Sequence, residues 1–337
     1  SGTSDALTFN LATLAADKGF NHTVADIVVA NVESVTLDSS GMTAGKTKTL
    51  SDLSADATLT SLTVTGDSNL TITTTSGTTK LATVNASALT GDFNYTSNVA
   101  TLAETITTGS GNDTITMGAN LATADVIDGG ANTVLTDGTA GTDSLTGEFG
   151  AGTTAAPVSL SIANVENIAL KLTAASVLDA ATITGGSALN LWNADSATFA
   201  GQINNLAAGM SLGLGLVANQ EANGLYTVAL ADETGAADAL TVNVGDAGAD
   251  DDVDADLKTT GIETITIART ATDADDATVD MTLALAGTIN VTGGVAAAVT
   301  DLDTLSTTTT VVDALSEPIT EFSASNKASL SSCKSLL

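Results

Sequence analysis

The nine residues Thr108-Gly109-Ser110-Gly111-Asn112-Asp113-Thr114-Ile115-Thr116 place two glycines, a carboxylate and a large aliphatic side chain at fixed spacing. This G-x-G-x-D-x-U-x pattern, with U aliphatic, suits one turn of a parallel β-roll that holds calcium. Gly109 and Gly111 permit a tight turn whose carbonyls face a cation, and Asp113 adds a hard anionic oxygen. Ile115 then opens a strand and points inward. Two degenerate copies follow, Asp125-Val126-Ile127-Asp128-Gly129-Gly130-Ala131 and Gly141-Thr142-Asp143-Ser144-Leu145-Thr146, and each keeps the D-x-U core.

A second acidic cluster lies further on. Residues 246–256 contain Asp246, Asp250, Asp251, Asp252, Asp254 and Asp256. Carboxylates at this density repel one another unless a cation is present, so Asp246, Asp250, Asp252 and Asp254 are read as a further calcium cluster rather than a solvated loop. Asp273, Asp275 and Asp276 repeat the situation on a smaller scale.

Catalytic groups are scarce. The chain has one Arg (Arg269), one His (His22, after Gly19-Phe20-Asn21) and one Cys (Cys333, in a Ser/Lys-rich tail). Paired carboxylates for glycoside hydrolysis are available from so many acids, but aromatic sugar platforms are nearly absent. An enzyme is not expected.

The elements that must position these residues are β-strands. Leu62-Thr63-Val64-Thr65-Gly66, Ala181-Thr182-Ile183-Thr184-Gly185 and Thr288-Ile289-Asn290-Val291-Thr292-Gly293 alternate β-branched or aliphatic with polar residues and end in glycine. Helical periodicity is almost missing; only Ala197–Met210 reads as a short amphipathic helix. The repetition is longer than a single strand. A D-x-L-T box recurs at Asp5, Asp143 and Asp238, each preceded by a small or Gly-containing segment. Each is followed by a second box: Asn31-Val32-Glu33, Asn164-Val165-Glu166 and Gly261-Ile262-Glu263, continuing into a strand. The fixed place of Glu33, Glu166 and Glu263 between a turn and a strand fits either a structural cap or a calcium ligand. The expected fold is therefore all-β: three parallel β-solenoid or β-roll-like modules stabilised by calcium, over residues 1–107, 108–234 and 235–337.

Composition agrees. Of 337 residues 39 are acidic and 9 basic, a formal charge of −30, so no cationic patch exists for nucleic acid. The apolar 43% is mostly Ala, Val, Leu and Ile, with one Trp, which suits thin stacked coils. A single cysteine excludes an intrachain disulfide. No apolar run reaches 18 residues, so no transmembrane segment is expected, and residues 1–20 lack the pattern of a Sec signal.

Residues 108–116 resemble the repeats-in-toxin nonapeptide. The Asn-Val-Glu boxes, Leu62–Gly66 and the segment Leu81-Ala82-Thr83-Val84-Asn85-Ala86-Ser87-Ala88-Leu89-Thr90-Gly91 resemble calcium-dependent surface-layer and large adhesin proteins of Gram-negative bacteria. Thr108 stands where the nonapeptide has its first glycine. The resemblance implies calcium held between coils by Gly109, Gly111, Asp113, Asp125, Gly129, Gly130, Gly141 and Asp143. It implies secretion to the bacterial cell surface by a type I route. The expected function is a structural extracellular protein that self-assembles with calcium into a surface layer or filament. The alternative is a calcium-stabilised binding or stalk module of a secreted adhesin. Expected partners are further copies of the chain and cell-surface polysaccharide.

Overall fold

The computed structural model describes residues 4–11, 19–132, 140–150, 152–193, 200–216, 222, 224–235, 237–244, 254–259, 261–269, 278–283, 288–293, 301–303 and 310–313. Among the described residues, the regular elements apart from one 3₁₀ turn at Ala180–Thr182 are strands, and the ladders between them are parallel. The protein is a parallel β-solenoid, the class that the alternating pattern predicts. Its contacts divide it into two compact units.

In the first unit (1–148, 160–168 and 183–186), one face stacks Ala6–Asn10, Ser34–Asp38, Ser61–Gly66, Thr83–Leu89, Thr105–Thr107, Val126–Asp128, Ser161–Ala163 and Ile183–Thr184. The register builds a single inward column: Leu7, Val35, Leu62, Val84, Ile106, Ile127, Ile162, Ile183. From Val35 onward these side chains are at most 2% exposed. Burying each aliphatic contributes about 1.5–3 kcal/mol, and parallel pairing repeats that gain coil after coil. A second face runs through His22–Val24, Thr47–Leu50, Asn69–Ile72, Phe93–Thr96 and Thr114–Gly118. There Leu50, Ile72, Tyr95, Ile115 and Leu145 align. The polar alternates Thr36, Thr63 and Asn85 face away from the core.

In the second unit (149–159, 169–182 and 187–337), Ser176–Asp179, Gly201–Leu206, Gly224–Leu230 and Asp254–Thr259 form one face, and Ala188–Asn193, Ser211–Leu214, Ala239–Val244 and Thr264–Arg269 another. Leu178, Ile203, Val228 and Leu189, Leu212, Val242 fill the interior. The helix expected over 197–210 is instead the strand Gly201–Leu206 followed by a turn. The ladder slips between Ile203 and Leu206, where Asn205 takes φ 57°. This slip spaces the buried Ile203, Leu206 and Met210 three and four residues apart, a spacing that imitates a helix face.

Candidate functional site

The turns carrying the nonapeptide-like segments stack, and their carboxylates form a ladder along the stack. Asp113 is 1% exposed and spans coils directly. Its Oδ1 accepts the N–H of Phe93 at 2.7 Å, and its Oδ2 accepts that of Gly109 at 3.1 Å. Asp143 repeats the step: Oδ1 accepts the Asp113 N–H at 2.7 Å. Glu166 repeats it again, accepting the Asp143 N–H at 2.8 Å. Charge-assisted bonds of this kind are stronger than neutral ones; the Gly109 bond closes its own turn, and the other three tie one coil to the next.

The glycines make this stacking possible because backbone passes where a side chain would stand. A Cβ on Gly109 would lie 1.9 Å from the Leu89 carbonyl oxygen, and one on Gly111 2.6 Å from the Asp92 nitrogen. One on Gly130, at φ +82°, would lie 2.1 Å from the Gly109 oxygen. On Gly129 it would meet the Asn164 oxygen at 2.0 Å and Asp143 Oδ2 at 2.7 Å. Gly141 is buried just before Asp143, beside Thr142, whose N–H is held by Asn112 Oδ1 at 2.9 Å. Thr108, in place of a glycine, donates its hydroxyl to the Gly129 carbonyl at 2.6 Å.

Asp125 sits on a different corner. Its Oδ1 accepts the Glu104 N–H and its Oδ2 the Ala122 N–H, both at 2.8 Å. Glu104 in turn accepts the Tyr95 hydroxyl at 2.9 Å and the Ser97 hydroxyl. Burial pushes the Glu104 carboxyl up to about 7, against the two hydroxyl bonds and with the Asp125 charge adding to the rise. This buried Tyr95–Ser97–Glu104 group carries no signature in the sequence, because its members meet only through coil stacking.

The two boxes of the long repeat explain each other. Asp5, Asp143 and Asp238 donate their N–H to Glu33, Glu166 and Glu263 at 2.7, 2.8 and 2.8 Å. Their carbonyls accept N–H groups from the second box in return: Glu33 and Ser34, Asn167, and Glu263 and Thr264. The three glutamates are thus caps that lock a strand start onto the next coil. The first residue of the second box has φ 56°, 53° and +67° at Asn31, Asn164 and Gly261, which is why only Asn or Gly occurs there.

Most of these carboxylate oxygens are occupied, with one buried exception in the nonapeptide series. Asp143 is 1% exposed, yet its Oδ2 has no hydrogen-bond partner. Burial raises its carboxyl to about 7; the Asp113 N–H opposes this, and the charges of Asp113, Glu166 and Asp92 add to it. Burial also raises Asp113. Asp238, the first-box counterpart of Asp143, likewise has Oδ2 buried without a partner. The sequence had signalled it only through the shared D-x-L-T box. Among the described residues, no three acidic, His or Cys side chains converge as a ready-made metal cage.

Asp246, Asp250 and Asp252, with Asp273, Asp275, Asp276 and Cys333, lie outside the described residues. Asp254 opens the strand Asp254–Thr259. His22 lies on the strand His22–Val24, in register with Lys48. Lys48 is fully buried and donates to the Ser40 carbonyl at 2.6 Å. Burial lowers its pKa, with Asp38 and Asp67 opposing.

No family model matches the chain, and neither curated proteins nor solved structures yield a significant match.

Proposed function

We propose that this chain is a structural subunit that assembles outside a bacterial cell, with calcium as the switch. The observation that carries the reading is Asp143 in the stacked turns: it is 1% exposed, and its Oδ2 is buried without a hydrogen-bond partner beside Asp113 and Glu166. Repeated coils present repeated surfaces, and heterologous stacking of such surfaces propagates instead of closing.

The charge of −30 opposes such stacking. Asp143 supplies the point at which a divalent cation fits: an orphan buried oxygen amid the fields of Asp92, Asp113 and Glu166. Asp238, capped by Glu263, is its repeat. Bound calcium would add positive charge where the ladder has only carboxylates. Gly129 brings turn backbone beside the orphan oxygen: an added Cβ there would lie 2.7 Å from Asp143 Oδ2. Asp113 and Asp125 already hold N–H groups with both oxygens, so their part is to position the coils.

Electron microscopy of the purified protein tests the reading. Millimolar calcium should give filaments or sheets, and chelation should return dispersed particles. Dispersed particles under both conditions at high protein concentration would overturn it.

A further inference from the structure

The second unit carries a groove of about 400 Å³ that the ladder does not explain. It opens at the first residues of three stacked strands, Ser176–Asp179, Gly201–Leu206 and Gly224–Leu230, and is walled by the turn around Thr153 and Thr154. Register sets its lining. Val177, Gln202 and Thr227 form one row across the strands, and Ser176 lies in the neighbouring row with Gly201 and Tyr226. Thr153, Gln202 and Thr227 offer hydroxyl and amide groups, while Leu225 leaves an apolar surface 40% exposed. Ser176 is only 3% exposed and shares the inward row of the buried Tyr226, so it backs the groove while Gln202 and Thr227 face it.

We infer that this groove binds a neutral oligosaccharide. Among the described residues no charged side chain lines it, so neither an anion nor a cation finds a counterion among them. The residue in register with Leu225 on the next strand is Asp256, which disfavours acidic sugars further. Threonine and glutamine side chains both donate and accept hydrogen bonds, matching sugar hydroxyls, and Leu225 suits the apolar face of a pyranose ring. Parallel strands repeat these groups about every 4.8 Å, close to the length of one pyranose unit. An extended peptide would instead need a free strand edge, but these strands are paired with their neighbours.

Ligand-observed saturation-transfer NMR on the full chain tests the inference with neutral hexasaccharides (of glucose in both linkages, mannose and N-acetylglucosamine) and with hexagalacturonate. At least one neutral hexamer should bind. Leu225→Ala and Gln202→Ala, both at solvent-facing positions, should each weaken it about tenfold, while Thr63→Ala on the first unit leaves it unchanged. The groove variants should still assemble in calcium, which separates failure of this inference from failure of the assembly reading. It is overturned if no neutral hexamer binds, if hexagalacturonate or an unstructured peptide of equal length binds instead, or if the two groove variants bind like the parent.

Discussion

Glu166 accepts the backbone N–H of Asp143 at 2.8 Å from the next coil, and the Asp143 carbonyl accepts the N–H of Asn167 in return. Glu33 with Asp5 and Glu263 with Asp238 make the same clamp. The clamp is the structural content of the long sequence repeat: one acid starts a strand, and another acid, 23 to 28 residues later, caps that start.

Removing the cap should therefore cost stability in proportion to the acceptor lost. Glu263→Ala leaves the Asp238 N–H without its partner and should cost about 1–3 kcal/mol in urea unfolding. Glu263→Gln keeps an acceptor oxygen and should cost clearly less. Equal losses would show that packing, rather than the bond, matters.

The left-handed residue before each cap makes a second prediction. Asn31 has φ 56° and is exposed. Asn31→Gly should be nearly neutral, whereas Asn31→Val should cost about 1–2 kcal/mol because its second γ-carbon crowds the backbone in the left-handed region that Asn tolerates. Thermal melts of the two variants distinguish a backbone requirement from a side-chain one; a benign valine would refute the former.

Close backbone approach predicts a sharp contrast between two glycines. Gly109→Ala would put a methyl 1.9 Å from the Leu89 oxygen, whereas Gly19→Ala meets nothing within 4 Å. The first variant should lose several kcal/mol or fail to fold, and the second should melt like the parent. Circular dichroism of both decides the matter.

Glu104 predicts a pH dependence. Its carboxyl is raised from 4.5 to about 7 in the folded protein, first of all by burial. Between these values the folded state holds a proton that the unfolded state has lost, so stability falls as pH rises through that window. The loss is on the order of 3 kcal/mol. Glu104→Gln keeps the size and removes the titration, so its stability should vary less between pH 4.5 and 7.5. An unchanged slope would sink this assignment.

The fold was legible because strand alternation survives insertions: Leu62-Thr63-Val64-Thr65-Gly66 reads as a strand and lies in Ser61–Gly66. The boxes were legible as well, since each packs locally against the next coil. What escaped were relationships set by stacking alone. Tyr95, Ser97 and Glu104 converge across a turn with no motif. Lys48, polar by type, is buried because its loop carbonyl at Ser40 reaches it. Ala197–Met210 misled because a slipped ladder spaces its apolar residues like a helix. Nor could the motif alone show that Asp113 and Asp125 spend both oxygens on N–H groups, while Asp143 keeps one free.

Calorimetric titration of calcium into the parent protein and into Asp143→Asn tests the central claim most directly. Extracellular calcium modules bind at about 10⁻⁴–10⁻³ M. The parent should bind in this range, and Asp143→Asn, which keeps the shape but removes the charge at the orphan oxygen, should weaken binding about tenfold or more. No heat of binding in the parent, or equal affinity in the two proteins, would contradict the account.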